Sequence, residues 1–395
     1  MLRAVVLFLA LIVVLPASAA TLHVARDGSG EFTVIQAAVD AAASGDTVMI
    51  GPGRYDEGAI VSCPGWTAFV RVLIRQTELT IIGAGPGQTI IGPTTPWDLS
   101  RGWNRGIEAG PGWNSMRVHV SDIGFENMGY GISGAEAPEA LTIDRCRFYN
   151  NAKSVFFYAG GDLSITDSVF DQAPRNYEFV IAIACSSVIV DASQFTLADA
   201  HQWTQSAVHL ESSVVASVTN CVFSGGDGAL ALVGAGSSTV QGCRFHNQTA
   251  ATPYRLGCGI LISASPVNVS NCSFDMQTNA LRIISSPSVT MTQSVIADAT
   301  DASIQFDDVG ALTVHDSVLA RGRQYTVWQW FPCDGKAASS PTNLDMTNND
   351  WGTASADSIA SWIHTCGRVV DYVPFIGQPV PTESTSWGNL KAQYR

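Results

Sequence analysis

Positive charge is scarce in this chain. Of 395 residues only 21 are Lys or Arg, against 34 Asp or Glu, leaving a formal charge of −13. That balance works against nucleic acid and anionic membrane surfaces as partners. A polyanionic glycan would need a bound cation or a local basic patch. Charged residues of both signs reach only 14%. Gly, Ser, Thr and Asn take the polar positions, which suits a turn-rich sheet protein better than a helical one. The apolar run at the start is too short and wrongly flanked for a membrane anchor, and no second long apolar run follows, so no membrane span is expected. Also missing are a phosphate loop, a metal-spaced Cys/His set and a nucleophile elbow. No cofactor is expected, except calcium if the protein is a lyase.

What is present begins with a targeting segment over 1–19: Arg3, the apolar stretch Ala4 to Leu15, and the small-residue site Ala17-Ser18-Ala19. It reads as a cleavable signal peptide, so the mature chain is expected to be secreted or periplasmic.

From Val118 onward one phrase recurs ten times, as in LTIDRCRF at Leu141, ASVTNCVF at Ala216 and VNVSNCSF at Val267. The large apolar residues closing each phrase run Phe125, Phe148, Phe170, Phe195, Phe223, Phe245, Phe274, Ile296, Leu319 and Trp351, in steps of 23, 22, 25, 28, 22, 29, 22, 23 and 32. A floor of 22 residues with insertions marks a solenoid whose unit is one coil. Alternate apolar residues at the start of each phrase face inward. The following slot, Asp122, Arg145, Asp167, Ala192, Asn220, Gly242, Asn271, Gln293, Asp316 and Asn348, is rich in residues that tolerate a left-handed corner. A second strand follows in later coils, as in Ala207-Val208-His209-Leu210 and Ala280-Leu281-Arg282-Ile283.

Nine cysteines in an exported protein would ordinarily suggest a disulfide framework. Here Cys146, Cys221, Cys243 and Cys272 share one small-residue slot with Ser168, Ser193, Ser294 and Ser317. They are expected to form an inward ladder in which cysteine acts as a compact hydrophobe. Cys333 and Cys366 flank the last coil and form the one pair proposed as a disulfide.

Both ends of such a stem need covering. Phe32 to Ala42 places Ile35, Ala38, Val39 and Ala42 on one helical face, and Thr47 to Ile50 follows as a strand. Near the other end, Ile359, Trp362 and Ile363 predict a short helix, and Val369 to Tyr372 a last strand. The segment VARDGSGEFTVIQAAVDAAASGDTVMIGPGRYDE from Val24 resembles the opening of right-handed parallel β-helix proteins of the pectin-lyase-like superfamily, pectin methylesterases most closely. LTIIGAGPGQTIIG from Leu79 resembles a rung of NosD-like bacterial β-helix proteins, and the stretch from Asn348 resembles the way such chains end. The resemblance implies an all-β, single-stranded right-handed parallel β-helix with an N-terminal capping helix and a short C-terminal cap. Its expected parts are an N-terminal cap over 20–46, coils over 47–353, a C-terminal cap over 354–380 and a tail over 381–395.

The resemblance does not extend to a catalytic motif. The esterase match stops at Gly53-Arg54-Tyr55-Asp56-Glu57. Of the polygalacturonase signatures only echoes remain: Gly226-Asp227-Gly228, Gly257-Cys258-Gly259 and Leu281-Arg282-Ile283-Ile284. One aspartate cannot supply the two carboxylates of inverting hydrolysis.

The outward slots of the second strand carry the candidates. His209, Ala231, Leu261, Arg282, Gln305 and Trp328 should lie in one row, with Glu211, Asp307 and Trp330 two residues further on. Arg282, Gln305, Asp307, Trp328 and Trp330 would then cluster on three adjacent coils, with His209 and Glu211 three coils below. A cation, an amide, a carboxylate and flat rings could grip a sugar chain. Arg282, Asp307, His209 and Glu211 are the candidates for catalysis. The insertion Gly92 to Asn114 adds Trp97, Trp103 and Trp113 beside Arg101 and Arg105, either to stack on sugars or to pack back onto the stem. The leading expectation is an exported solenoid that binds polysaccharide or serves as a surface element, with a cell-surface glycan as partner. The alternatives are a lyase or glycoside hydrolase acting on a uronic-acid-containing glycan, and a NosD-like periplasmic accessory protein.

Overall fold

The computed structural model describes residues 19–63, 65–98, 100, 102–110, 115–134, 138–172, 178–197, 206–249, 257–329 and 344–377. The expected signal segment through Ser18, the tail from 381, Trp113, Trp330 and Cys333 lie outside them.

Three long sheets wrap one apolar stem in a right-handed β-helix, parallel throughout the described residues except where Ala59–Cys63 pairs antiparallel with Trp66–Ile74 at one edge of the third. The first has 14 strands, from Thr21–Val24 to Val370–Asp371; the second has 11, from Gly53–Tyr55 to Val318–Leu319. The third has 13 and ends at Ile363–His364. Apart from that hairpin, strands pair with their counterparts one coil away, so residues sharing a slot lie side by side. Leu141 sits between Val118 and Leu163, and Phe148 between Phe125 and Phe170. The stem shows this most plainly. From Phe125 to Phe274 seven rings stack with neighbouring centroids 4.7–5.0 Å apart and planes within 11°. That is the strand spacing expressed by side chains.

All ten residues of the corner slot have positive φ, from 47° at Arg145 to 65° at Gly242. The conformation holds even at Arg145, Ala192 and Gln293, which do not favour it, so the stacked ladder imposes it. Two further corner series also have positive φ, one through Asn127, Asn150 and Gln172, the other through Ala159, Ala184, Ser212 and Ala264. Alanine and serine gave no signal of a turn there.

The shared small-residue slot is an inward ladder. The backbone N–H of Cys146 donates to Ser168 Oγ at 3.1 Å, that of Ser168 to Ser193 Oγ at 3.1 Å, and that of Ser294 to Ser317 Oγ at 3.1 Å. The cysteine thiols donate to backbone carbonyls, Cys221 Sγ to Thr219 O at 3.1 Å for example. Cys146, Cys221, Cys243 and Cys272 are buried free thiols. Burial pushes the Cys146 thiol up to about 12, which keeps it protonated and unreactive. Cys366 is disulfide-bonded.

Each end of the stem has a helix. At the N-terminal end α1, Ile35–Ala41, buries Ile35, Ala38 and Val39. Gln36 ties it to the third sheet: its Oε1 accepts the Leu73 N–H at 2.7 Å and its Nε2 donates to Leu73 O at 3.1 Å. Gln76 Nε2 donates to Val39 O at 2.6 Å and Ala42 O at 3.2 Å, satisfying carbonyls that a helix end leaves open. At the C-terminal end α2, Ala356–Ser361, starts where the Ser355 hydroxyl accepts the Ser358 N–H at 3.2 Å and buries Ile359. The expected helical face through Trp362 and Ile363 is not formed. Trp362 ends the helix, and Ile363–His364 extends the third sheet by pairing with Val327 and Trp328. The edge of the sheet offered more backbone partners than another helical turn.

Candidate functional site

The outer faces of the sheets differ. On the first, the outward row reads His119, Thr142, Ser164, Ile189, Ser217, Thr239, Asn268, Thr290, Thr313 and Asp345, in register from coil to coil. It is mostly short, polar and solvated. On the third, one row runs Glu108, Ser133, Phe156, Ile181, His209, Ala231, Leu261, Arg282, Gln305, Trp328 and His364. The alignment expected from His209 to Trp328 is present and continues at both ends.

At the C-terminal end of this row Arg282, Gln305 and Trp328 are direct neighbours across paired strands. Burial raises the Asp307 carboxyl above its ordinary value and the Arg282 charge draws it back. Trp328 is half-buried, with its ring 6.0 Å from that of Tyr325, which in turn stacks on His364 at 5.2 Å. Gln305 is only 2% exposed, so it faces less solvent than its outward slot implied. Three coils below Arg282, His209 sits between two carboxylates: Nδ1 is 3.0 Å from Glu178 Oε1 and Nε2 is 3.5 Å from Glu211 Oε2. The Glu178 hydrogen bond raises the His209 pKa above its ordinary value, against the effect of burial.

The N-terminal end is richer. The insertion expected as a loop contains the strand Arg105–Ala109, which continues the third sheet. Just before it Trp103, 37% exposed, lies 5.6 Å from Trp97 and 5.3 Å from Tyr130 between ring centroids. Tyr130 lies 5.6 Å from Phe156. Lys153 Nζ reaches all three outer rings, at 5.3 Å from Phe156, 5.6 Å from Trp103 and 5.8 Å from Tyr130. Partial burial lowers the Lys153 pKa. Trp97 is buried and its indole N–H donates to Gly102 O at 3.0 Å, so it supports Trp103 from behind. Arg105 is buried as well. Its guanidinium lies 3.7 Å from the Trp66 ring centroid, pairs with the fully buried Glu108 and donates to Ser133 Oγ at 3.2 Å. This buried polar group fixes the floor on which the exposed Trp103 and the half-buried Tyr130 and Phe156 stand.

Tyr130, Lys153, Phe156, Glu108, Ser133 and Glu178 were not singled out from the sequence. A signal existed: Tyr130 follows Phe125, and Lys153 follows Phe148, at the same offset of five residues. Carrying the second strand back to these earlier coils would have found both. No three of His, Cys, Asp and Glu converge to hold a metal among the described residues.

Residues 180–349 match the family described as right handed beta helix region. Similar solved structures include the catalytic unit of the GH87 alpha-1,3-glucanase of Streptomyces thermodiastaticus strain HF3-3, at 15% identity and TM-score 0.44 over 93% of this chain and 69% of that one. The A-module of the Azotobacter vinelandii mannuronan C-5 epimerase AlgE4 shares 16% identity at TM-score 0.42, over 86% of this chain and 93% of that one. A mannuronic acid specific polysaccharide family 6 lyase from human gut microbiota shares 11% at TM-score 0.40, over 88% and 91%. No curated relative matches. No helix among the described residues is long and apolar enough to cross a membrane.

Proposed function

We propose that the protein binds an extended polysaccharide along the outer face of its third sheet. The observation that carries this is the strip Trp103, Tyr130 and Phe156, one ring per coil, with Lys153 among them. Successive rings are separated by about one strand spacing, which is close to the length of one pyranose in an extended chain. Aromatic faces pack against the apolar faces of sugars while hydroxyl groups reach the polar edges. The row continues for seven coil steps from Phe156 to Trp328. At one strand spacing per step that is roughly 34 Å, long enough for Arg282, Asp307 and Trp328 to form a second grip on the same chain. The apolar N-terminal segment supports export to where such glycans are found.

The test is affinity electrophoresis of the full chain on neutral and uronate-containing polysaccharides, with and without calcium, together with an assay for released oligosaccharides. Retardation on at least one glycan, lost in Trp103→Ala and Phe156→Ala, is the expected result. Retardation unchanged in both variants would remove the proposal. Release of unsaturated oligosaccharides by the wild type, abolished in Arg282→Ala, would replace binding with lyase action.

A further inference from the structure

On the second sheet, Ser224, His246 and Asp275 occupy one outward slot on three consecutive coils, directly paired in register. They line a surface cavity of about 540 Å³ with Val222, Arg244 and Ser273. His246 Nδ1 lies 3.0 Å from Asp275 Oδ2. A carboxylate can only accept, so Nδ1 carries the proton and the lone pair of the neutral ring falls at Nε2. Among the described residues Nε2 makes no hydrogen bond, nor does the Ser224 hydroxyl one coil away, and Arg244 has no ion-pair partner.

The geometry points to an acyl-transfer site at this cavity, with Ser224 as nucleophile, His246 as base, Asp275 as the residue positioning His246, and Arg244 beside the developing oxyanion. An orienting carboxylate, an imidazole with an open Nε2 and a hydroxyl on the far side make up the Ser-His-Asp arrangement, which is recognised by geometry and not by sequence order. Ser224 and His246 are one strand spacing apart, roughly 4.8 Å between backbones, and such contacts commonly tighten only around substrate. The site is open and shallow, so it fits a small acyl group projecting from a larger molecule, such as an O-acetyl ester. Ser224 Oγ would bond to the ester carbonyl carbon as its proton passes to His246 Nε2. The bond from that carbon to the alcohol oxygen then breaks, and Nε2 returns the proton to the departing alcohol. Water, deprotonated by His246, attacks the acyl-serine and releases the acid, and the proton returns to Ser224 Oγ. Ester and water become acid and alcohol. The proposal lies on a different sheet from the aromatic strip and does not depend on it.

The test uses the full chain and p-nitrophenyl acetate. Hydrolysis above the buffer rate is expected, lowered about a hundredfold or more in Ser224→Ala and His246→Gln and unchanged in Thr239→Ala on the first sheet. Mass spectrometry should find the acetyl group on the peptide carrying Ser224. Asp275→Asn should lower kcat with KM retained, and Asp275→Glu should restore part of it. All of these side chains face solvent, so thermal unfolding should match wild type and exclude misfolding as the cause. Wild-type hydrolysis no faster than buffer, or hydrolysis retained by Ser224→Ala, would overturn the proposal.

Discussion

Inside the stem each coil repeats its neighbour; on the outer face of the third sheet almost none does. The two regions belong to the same coils and the same register, the phenylalanines on strands of the second sheet and the outer row on strands of the third. Inside, Phe lies on Phe from Phe125 to Phe274 and small residues lie on small residues. Outside, the row changes from Glu108 through Phe156 and His209 to Arg282 and Trp328. The interior is constrained by the need to fill one continuous volume, and this makes its chemistry uniform. Side chains facing outward are free of that demand, so a row that still carries bulky rings and buried charges has another reason to do so. The first sheet's outer face, with its run of Ser, Thr and Asn, shows what an unemployed row looks like.

Four substitutions sharpen the contrast. Phe223→Ala removes one ring from the middle of the stack, where Phe223 is 1% exposed. It should cost about 3–5 kcal/mol in urea unfolding, as other buried Phe truncations do. A loss below about 1 kcal/mol would mean that the stack is dispensable. On the outer face, Trp103→Ala should weaken glycan binding about tenfold, near the upper range of one aromatic contact, and barely move the unfolding midpoint. The reverse pattern, stability lost and binding kept, would assign Trp103 to the scaffold.

The third change concerns His209. Its folded pKa is raised by Glu178, so the stabilisation is complete below the unfolded value of about 6.5 and is lost as pH rises through the folded value. The stability gap between wild type and His209→Gln should therefore be larger at pH 6 than at pH 8.5, about pH values that bracket the ordinary histidine range, when measured by denaturant titration at each. An equal gap at both would show that the carboxylates do not hold the charged ring. The smallest effect belongs to Thr239→Ala, with a change within about 0.5 kcal/mol and no change in binding. A larger loss of either kind would mean that the plain face is not plain.

The β-helix was legible because its evidence is repetition. The slots of Phe223 and Cys221 recur at nearly fixed intervals, and in-register stacking follows once the interval is known. The row from His209 to Trp328 was legible for the same reason. The strip around Lys153 was not, because Tyr130–Gly134 and Lys153–Tyr158 precede the coils in which the second strand has its clearest apolar alternation. Arg105 looked like a loop residue because tryptophans and glycines crowd the insertion that contains its strand. Ser224, His246 and Asp275 are 22 and 29 residues apart, and no short motif joins them. Only the pairing of strands brings them together.

The left-handed corners have a consequence for how this molecule could change in length. Each coil hydrogen-bonds through its strands only to its immediate neighbours, and its corners present equivalent backbone at both ends of the cut. Duplicating or excising the segment between Asn220 and Gly242 would lengthen or shorten the rod by one increment, roughly 4.8 Å. Sites on one side of the change would move as a block relative to those on the other, with their local geometry unchanged. The protein is in this sense a graduated ruler, and the distance between the two proposed grips on a glycan would be reset by whole divisions.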